Sequence, residues 1–283
     1  MSAIPRQRAR LRQAPIADKS APTKVGSHQG RSDQGGRLPP DMGSRLTLVF
    51  PYPTLTEIRP MGRTLILDTS RPHESMDAYL AEPSGTPKGG IVVIQEIFGV
   101  NAHIRSVADR FAAEGYVAIA PALFDPVRKG VELGYDQEGM QKGSKLIAEL
   151  GLLRPMQDTA IAARLIADQY KVKVGTVGYC WGGTVAVLAA LRLGLPSSSY
   201  YGSRNVPFLP EPAKANVIFH FGERDHSIPP EMVEKHRELK PEMDTWVYPA
   251  DHGFNCDARA SYDEPSAKLA WERTLAFFAR ELK

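Results

Sequence analysis

Two hydrophobic periods alternate along this chain, one of strands and one of helices. Gly90-Ile91-Val92-Val93-Ile94-Gln95 is a continuous, β-branched apolar run, the pattern of a strand buried on both faces. Phe98-Gly99-Val100-Asn101 follows, and then Ile104, Val107, Ala108 and Phe111 recur at helical spacing up to Gly115. Val117-Ala118-Ile119-Ala120 returns to the strand pattern. Residues 122–150 read as a long excursion punctuated by Gly130 and Gly134. Pro155 to Tyr170 predicts a helix with an Ile161, Leu165, Ile166 stripe, and Pro155 suits its first turn. A β-rich run from Val174 to Gly178 precedes a helical stretch through Arg192, and Ser197–Pro212 reads as a Pro/Ser/Gly loop. Asn216–Phe221 and Thr245–Tyr248 predict two further strands, separated by a helix over Glu231–Leu239, and Tyr262–Leu282 predicts a closing amphipathic helix. Upstream, Thr64–Leu67 and Asp77–Ala81 predict two short antiparallel strands.

Alternating β and α units imply an α/β fold, a mostly parallel sheet with helices on both faces. Ligands are then expected at the carboxyl ends of the strands. The domain is expected to span residues 61–283. Residues 1–60 are expected to be a basic N-terminal extension. Residues 1–45 are rich in Arg, Gln, Gly, Pro and Ser with almost no apolar periodicity, a composition that cannot offset its ordering entropy. Leu46–Phe50 could add an irregular surface strand.

Composition narrows the function classes. Residues 1–45 hold nine Lys or Arg against three Asp, whereas the whole chain nets only +3, so the remainder is mildly acidic. That balance gives no reason to expect nucleic acid as a partner. No apolar stretch approaches the length of a membrane span, so no membrane partner is expected either. Two cysteines and no secretory signal fit a reducing compartment, which points to the cytoplasm. The seven histidines show no metal-ligand spacing, so no metal is expected. The chain is expected to act as a monomer or dimer on a small molecule.

The chemistry concentrates at Gly178-Tyr179-Cys180-Trp181-Gly182-Gly183, a strand, one cysteine and a helix start. This is the spacing of a nucleophile elbow, Gly-x-Nu-x-Gly, with cysteine in the central place. A Cβ at Gly178 or Gly182 would collide with the tightly turned backbone. A thiol nucleophile needs a base and an orienting acid, which in α/β-hydrolases follow it in the order acid, then histidine. Gly222-Glu223-Arg224-Asp225 and Ala250-Asp251-His252-Gly253 follow later strands, which makes Asp225 the acid and His252 the base. Asp251 and Glu223 are alternative acids. His220 falls inside a strand, where a satisfied core histidine is expected, and His226 adjoins Asp225 too closely to reach back to it.

From about Met61 onward the chain resembles the dienelactone hydrolase (carboxymethylenebutenolidase) family. The resemblance rests on Gln95-Glu96-Ile97-Phe98-Gly99-Val100-Asn101, the cysteine elbow, Tyr200-Tyr201-Gly202, the Asp225 loop and Asp251-His252-Gly253-Phe254. It implies an α/β-hydrolase fold and cofactor-free hydrolysis of a small ester or enol-lactone through an acyl-enzyme. Cys180 would be the nucleophile, His252 the base, Asp225 the orienting acid and Glu96 a fourth partner that keeps the thiol protonated at rest. A carboxylate close to a thiol does disfavour the thiolate. The oxyanion donors would be the backbone N–H groups of Ile97 and Trp181. Family members that act on dienelactone hold the substrate carboxylate with an arginine four residues after the histidine. Cys256 stands there in this chain, leaving Arg259 and Arg128 as candidate cations, with Tyr135, Tyr201 and Phe254 as further candidate substrate contacts. Other readings of the same residues are a broader carboxylesterase or thioesterase, or a non-catalytic ligand-binding or thiol-sensing protein.

Overall fold

The computed structural model describes residues 12–13, 62–69, 71 and 73–283. In chain order the strands are β1 (Arg12–Gln13), β2 (Arg63–Asp68), β3 (Ser75–Ala81), β4 (Gly90–Ile94), β5 (Val117–Pro121), β6 (Val174–Tyr179), β7 (Ser197–Tyr200), β8 (Val217–Gly222) and β9 (Thr245–Tyr248). They form one sheet in the order β1-β2-β3-β5-β4-β6-β7-β8-β9. The pairs from β5 through β9 are parallel, and β1, β2 and β3 extend the sheet antiparallel beyond β5. The helices are α1 (Ala102–Ala113), α2 (Gln137–Leu150), α3 (Leu153–Tyr170), α4 (Trp181–Leu188), α5 (Pro230–Leu239) and α6 (Glu264–Glu281). The architecture is therefore the expected mostly parallel α/β sheet. The anticipated extension over residues 1–60 lies outside the described residues except for Arg12 and Gln13, which pair with Ile66 and Leu65. The strand considered over Leu46–Phe50 also lies outside them.

Successive residues of β4 serve opposite faces, as strand geometry requires. Ile91 and Val93 join a core that includes Ile104 and Phe111 of α1 and Trp271 and Phe278 of α6. Val92 and Ile94 join a second core with Ile166 of α3 and Trp181 and Val185 of α4. The sheet is thus covered on both sides, which is why β4 needs no polar face. Asn101 starts α1 by accepting the Ile104 N–H at 3.2 Å, a cap worth about 1 kcal/mol.

Two elements depart from the sequence reading. Ser197–Tyr200, expected within a loop, is the interior strand β7, wholly buried between β6 and β8. Serine is a poor strand former, and the run shows neither alternation nor branching. Its hydroxyls are satisfied inside the sheet, Ser197 with Thr176 at 2.7 Å, Ser198 with Thr274 at 3.1 Å and Ser199 with the Gly183 carbonyl at 3.0 Å. Tertiary partners thus override a weak local preference. The acid and base loops accordingly follow β8 and β9, with β7 interposed after the elbow strand.

The second departure is α2, inside the expected excursion. Its buried residues are only Gly139, Gly143, Leu146 and Ile147, too few to print a helical stripe. Gly143 is required by close approach, because a Cβ there would stand 2.1 Å from the Ile97 carbonyl oxygen. Asp136 caps the helix on the Gly139 N–H at 2.7 Å. Among the described residues no helix is long and apolar enough to cross a membrane.

Candidate active site

The turn between β6 and α4 carries Cys180 at φ 54 and ψ −119, a conformation that side-chain-bearing residues rarely adopt. The neighbours hold it there. A Cβ at Gly178 would meet the Gly182 carbonyl oxygen at 1.9 Å, and one at Gly182 would meet the Gln95 carbonyl oxygen at 2.3 Å. The Gly183 N–H closes the turn on the Cys180 carbonyl at 2.9 Å. Cys180 stays half-buried while every residue of α4 behind it is buried.

Parallel register brings a second loop alongside. Ile94 of β4 pairs with Gly178 of β6, so Glu96 and Ile97 continue from β4 at the same offsets as Cys180 and Trp181 from β6. The two proposed oxyanion donors, Ile97 N–H and Trp181 N–H, thus belong to adjacent strand ends. Gln95 anchors the β4 loop by accepting the Leu123 N–H at 3.1 Å. The excursion closes down on the same loop through Gly143 of α2 and the Leu133 N–H to Phe98 carbonyl bond of 2.9 Å.

His252 and Asp225 come together after β9 and β8. His252 Nδ1 lies 2.7 Å from Asp225 Oδ2, and the Asp225 side chain is fully buried. The other carboxylate oxygen accepts the Ser227 N–H at 2.8 Å, which fixes the aspartate. Burial opposes a charge on His252, but hydrogen bonding to Asp225 and to the Cys180 thiol, together with their charges, raises its pKa to about 10. The alternative acids stand elsewhere. Asp251 accepts the His252 backbone N–H at 2.6 Å, and Glu223 is exposed. His220 is the satisfied core histidine expected, 2.7 Å from the Tyr248 hydroxyl and 3.1 Å from Thr274 Oγ1. Burial, helped by the Arg273 charge, lowers its pKa to about 3. His226 is exposed.

Glu96 is completely buried, and its Oε1 accepts from Arg259 Nη1 at 3.3 Å. The same guanidinium lies 5.7 Å from the centre of the Tyr135 ring and 6.0 Å from that of Phe98. It also occupies the space beside Gly253, where a Cβ would meet Arg259 Nη1 at 2.5 Å and where φ is +78. Arg259 is thereby a cation beside the histidine loop, held on Glu96. Arg128 is exposed on the excursion, and its backbone N–H donates to the Phe124 carbonyl at 2.7 Å. Tyr135 accepts from Asn101 Nδ2 at 3.0 Å, and burial followed by the Glu96 charge raises its pKa. Tyr201 sits at φ 40 with its ring 5.1 Å from His252 and its hydroxyl unpartnered. Phe254 is fully buried against Tyr201 and Tyr248, at 5.4 and 5.1 Å between ring centres, so it packs the floor of the histidine loop. A separate apolar groove of 680 Å³ is lined by Leu152, Val206, Phe208 and Met232 among others, and none of Cys180, Asp225, His252 or Glu96 lines it.

Sequence reasoning did not bring His103 or Asp257 to this region. His103 Nδ1 lies 3.2 Å from Asp257 Oδ1. Burial disfavours its charge, but hydrogen bonds to Asp257 and Cys256 and the charges of Cys256 and Glu96 raise its pKa to about 9. No local spacing links these residues, because α1 and the histidine loop meet only across the fold.

Such an elbow at the carboxyl edge of a parallel sheet, with acid and histidine on the loops after β8 and β9, defines an α/β-hydrolase. The dienelactone hydrolase family model matches residues 76–282, and the chain belongs to that family. It is 35% identical over 241 residues to a Synechocystis sp. protein assigned as a carboxymethylenebutenolidase, covering 78% of this chain and 98% of that one. The carboxymethylenebutenolidase of Pseudomonas putida is 31% identical over 213 residues, covering 71% of this chain and 90% of that one. A crystal structure of a Klebsiella pneumoniae protein assigned as a dienelactone hydrolase superposes with a TM-score of 0.68 at 32% identity, covering 77% of this chain and 98% of that one. The family makes this chain a hydrolase of the lactone and ester type.

Proposed function

We propose that the protein hydrolyses a small ester or enol-lactone through a covalent intermediate on Cys180. The observation that carries this reading is a cysteine at φ 54 on the elbow, with a His252–Asp225 pair at 2.7 Å positioned to serve it. His252, whose raised pKa favours its protonated form, holds the thiol proton while sulfur attacks the carbonyl carbon, and the carbonyl oxygen gains charge facing the Ile97 and Trp181 N–H groups. Collapse of that adduct expels the alkoxide or enolate, which receives the proton from His252. Water, deprotonated by the same imidazole, then attacks the thioester, and the acid product leaves with Cys180 restored. Asp225 holds the imidazole in one tautomer and stabilises its protonated form. Glu96, at the same strand-end offset as Cys180, is the fourth partner of the proposed triad.

The substrate side rests on Arg259. Its guanidinium, held between Glu96 and the Tyr135 ring, stands where an anionic substituent of the substrate could compete with Glu96 for it. The test compares wild type, Cys180→Ala and His252→Ala on 4-nitrophenyl acetate and on a dienelactone. Each variant is expected to lose about 10⁴-fold or more in kcat. Turnover by Cys180→Ala equal to wild type would remove the thiol from the reaction.

A further inference from the structure

We propose that Glu96, His103 and Cys256 form a binding site for one thiophilic divalent cation, zinc(II) by the chemistry of its donors. One ligand atom from each residue lies within 4.8 Å of the others. All three residues are buried; Glu96 Oε2 has no hydrogen-bond partner, and His103 Nε2 has none beyond the Cys256 thiol of the same cluster. A buried carboxylate oxygen without a partner is costly, so Glu96 Oε2 and His103 Nε2 converging on one thiol make a donor set suited to a cation rather than ordinary packing.

The donor set selects the ion. Carboxylate oxygen, imidazole nitrogen and thiolate sulfur suit zinc, whereas calcium and magnesium take oxygen ligands almost alone. The outer contacts also fit. Asp257 Oδ1 lies 3.2 Å from His103 Nδ1, so the aspartate accepts the Nδ1–H and turns the Nε2 lone pair toward the cluster. A carboxylate behind a ligating histidine is the usual support of a metal site. Arg259 occupies Glu96 Oε1 and leaves Oε2 for the ion. At zinc bond lengths of about 2.0–2.3 Å the three donor atoms would stand roughly 3.5 Å apart, so closure needs only small side-chain rotations. A water molecule would complete the tetrahedron. Binding deprotonates Cys256 and displaces any proton on His103 Nε2, and those protons go to solvent. Because Glu96 is shared with the candidate active site, an ion here removes its carboxylate from the neighbourhood of Cys180.

Linear spacing could not show this site. Its ligands come from the β4 loop, the first turn of α1 and the segment after the catalytic-loop histidine, which is why the seven histidines gave no metal signal in the sequence.

The full-length Cys180→Ala protein, which removes the other thiol beside a histidine, is titrated with cobalt(II) as the spectroscopic stand-in for zinc(II). The expected result is one cobalt per chain, with a thiolate-to-cobalt charge-transfer band that one equivalent of zinc abolishes. Adding Cys256→Ser should remove the band. Adding Asp257→Asn instead, a change at a side chain 32% exposed, should weaken cobalt affinity about 10–100-fold while the fold is retained. Absence of the band in Cys180→Ala, or its persistence after Cys256→Ser, would overturn the proposal. An affinity unmoved by Asp257→Asn would remove His103 as a ligand and overturn it equally. Should Cys256→Ser not fold, the Asp257→Asn result decides. The experiment is done without the nucleophile, so its failure is separate from failure of the hydrolytic reading.

Discussion

Two sets of cysteine, histidine and aspartate stand within this molecule, Cys180 with His252 and Asp225, and Cys256 with His103 and Asp257. The residue types are the same, and so is the order of contacts, aspartate to histidine to thiol. Backbone and burial separate them. Cys180 is half-buried at φ 54 on a helix N-terminus, while Cys256 is wholly buried on a segment with no such strain. Asp225 is fully buried 2.7 Å from its histidine, and Asp257 is 32% exposed at 3.2 Å. A nucleophile must reach substrate and must rest on a rigid base. The half-buried thiol of the first set suits the proposed nucleophile, and the wholly buried thiol of the second suits the proposed ion site.

The sharpest way to break the comparison is all-or-none. Brief treatment of the native protein with iodoacetamide should modify Cys180 and spare Cys256, read by peptide mass spectrometry. Labelling of Cys256 at a similar rate would erase the distinction in access. The next largest effect is expected from Asp225→Asn, a fall in kcat of about 10⁴-fold with little change in KM, since the imidazole would be held in the wrong tautomer. A loss under tenfold would put Asp225 among the merely structural aspartates.

Arg259→Ala tests the element common to both sets. It leaves the buried Glu96 carboxylate without its counter-charge, at a cost of about 3 kcal/mol measured by urea unfolding. A cost near zero would mean that Glu96 is already neutral or otherwise satisfied. The pH dependence of stability is the gentlest probe. His252 and His103 have folded pKa values of about 10 and about 9, above the unfolded value of 6.5. Their contribution is therefore complete below pH 6.5 and is lost as pH rises through about 9 and 10. His220 and His236, lowered by burial to about 3 and about 4, work in the opposite direction. Below pH 6.5 the unfolded chain binds protons that these two buried rings refuse, so each costs about 1.4 kcal/mol per pH unit until its folded pKa is reached. Urea midpoints are expected to fall on both sides of neutrality, and the acid-side fall should shrink in His220→Gln. An acid limb of unchanged slope in that variant would show that His220 is not the group responsible.

Most of the sheet was legible from the sequence because its strands are apolar on both faces and its helices carry stripes. The elbow was legible for a local reason: Gly178, Cys180 and Gly182 form one turn, and backbone collisions dictate the glycines. The strand β7 and the helix α2 were not, since serine hydroxyls in one and glycines in the other become favourable only through partners from other elements. The same division runs through the site. Sequence order made Cys180, Asp225 and His252 the candidates for the proposed triad, and the fold brought Asp225 and His252 to hydrogen-bond distance.

What the sequence by itself determined, then, was the period of most elements, the turn that presents the thiol and the succession of Asp225 and His252 behind it. Those properties depend on neighbours a few residues apart. Only the tertiary structure decided that Arg259 rests on Glu96, that Phe254 packs inward, and that Glu96, His103 and Cys256 converge. Such contacts join residues distant in the chain, and they exist because parallel strand register and helix packing carry those residues to one rim of the sheet.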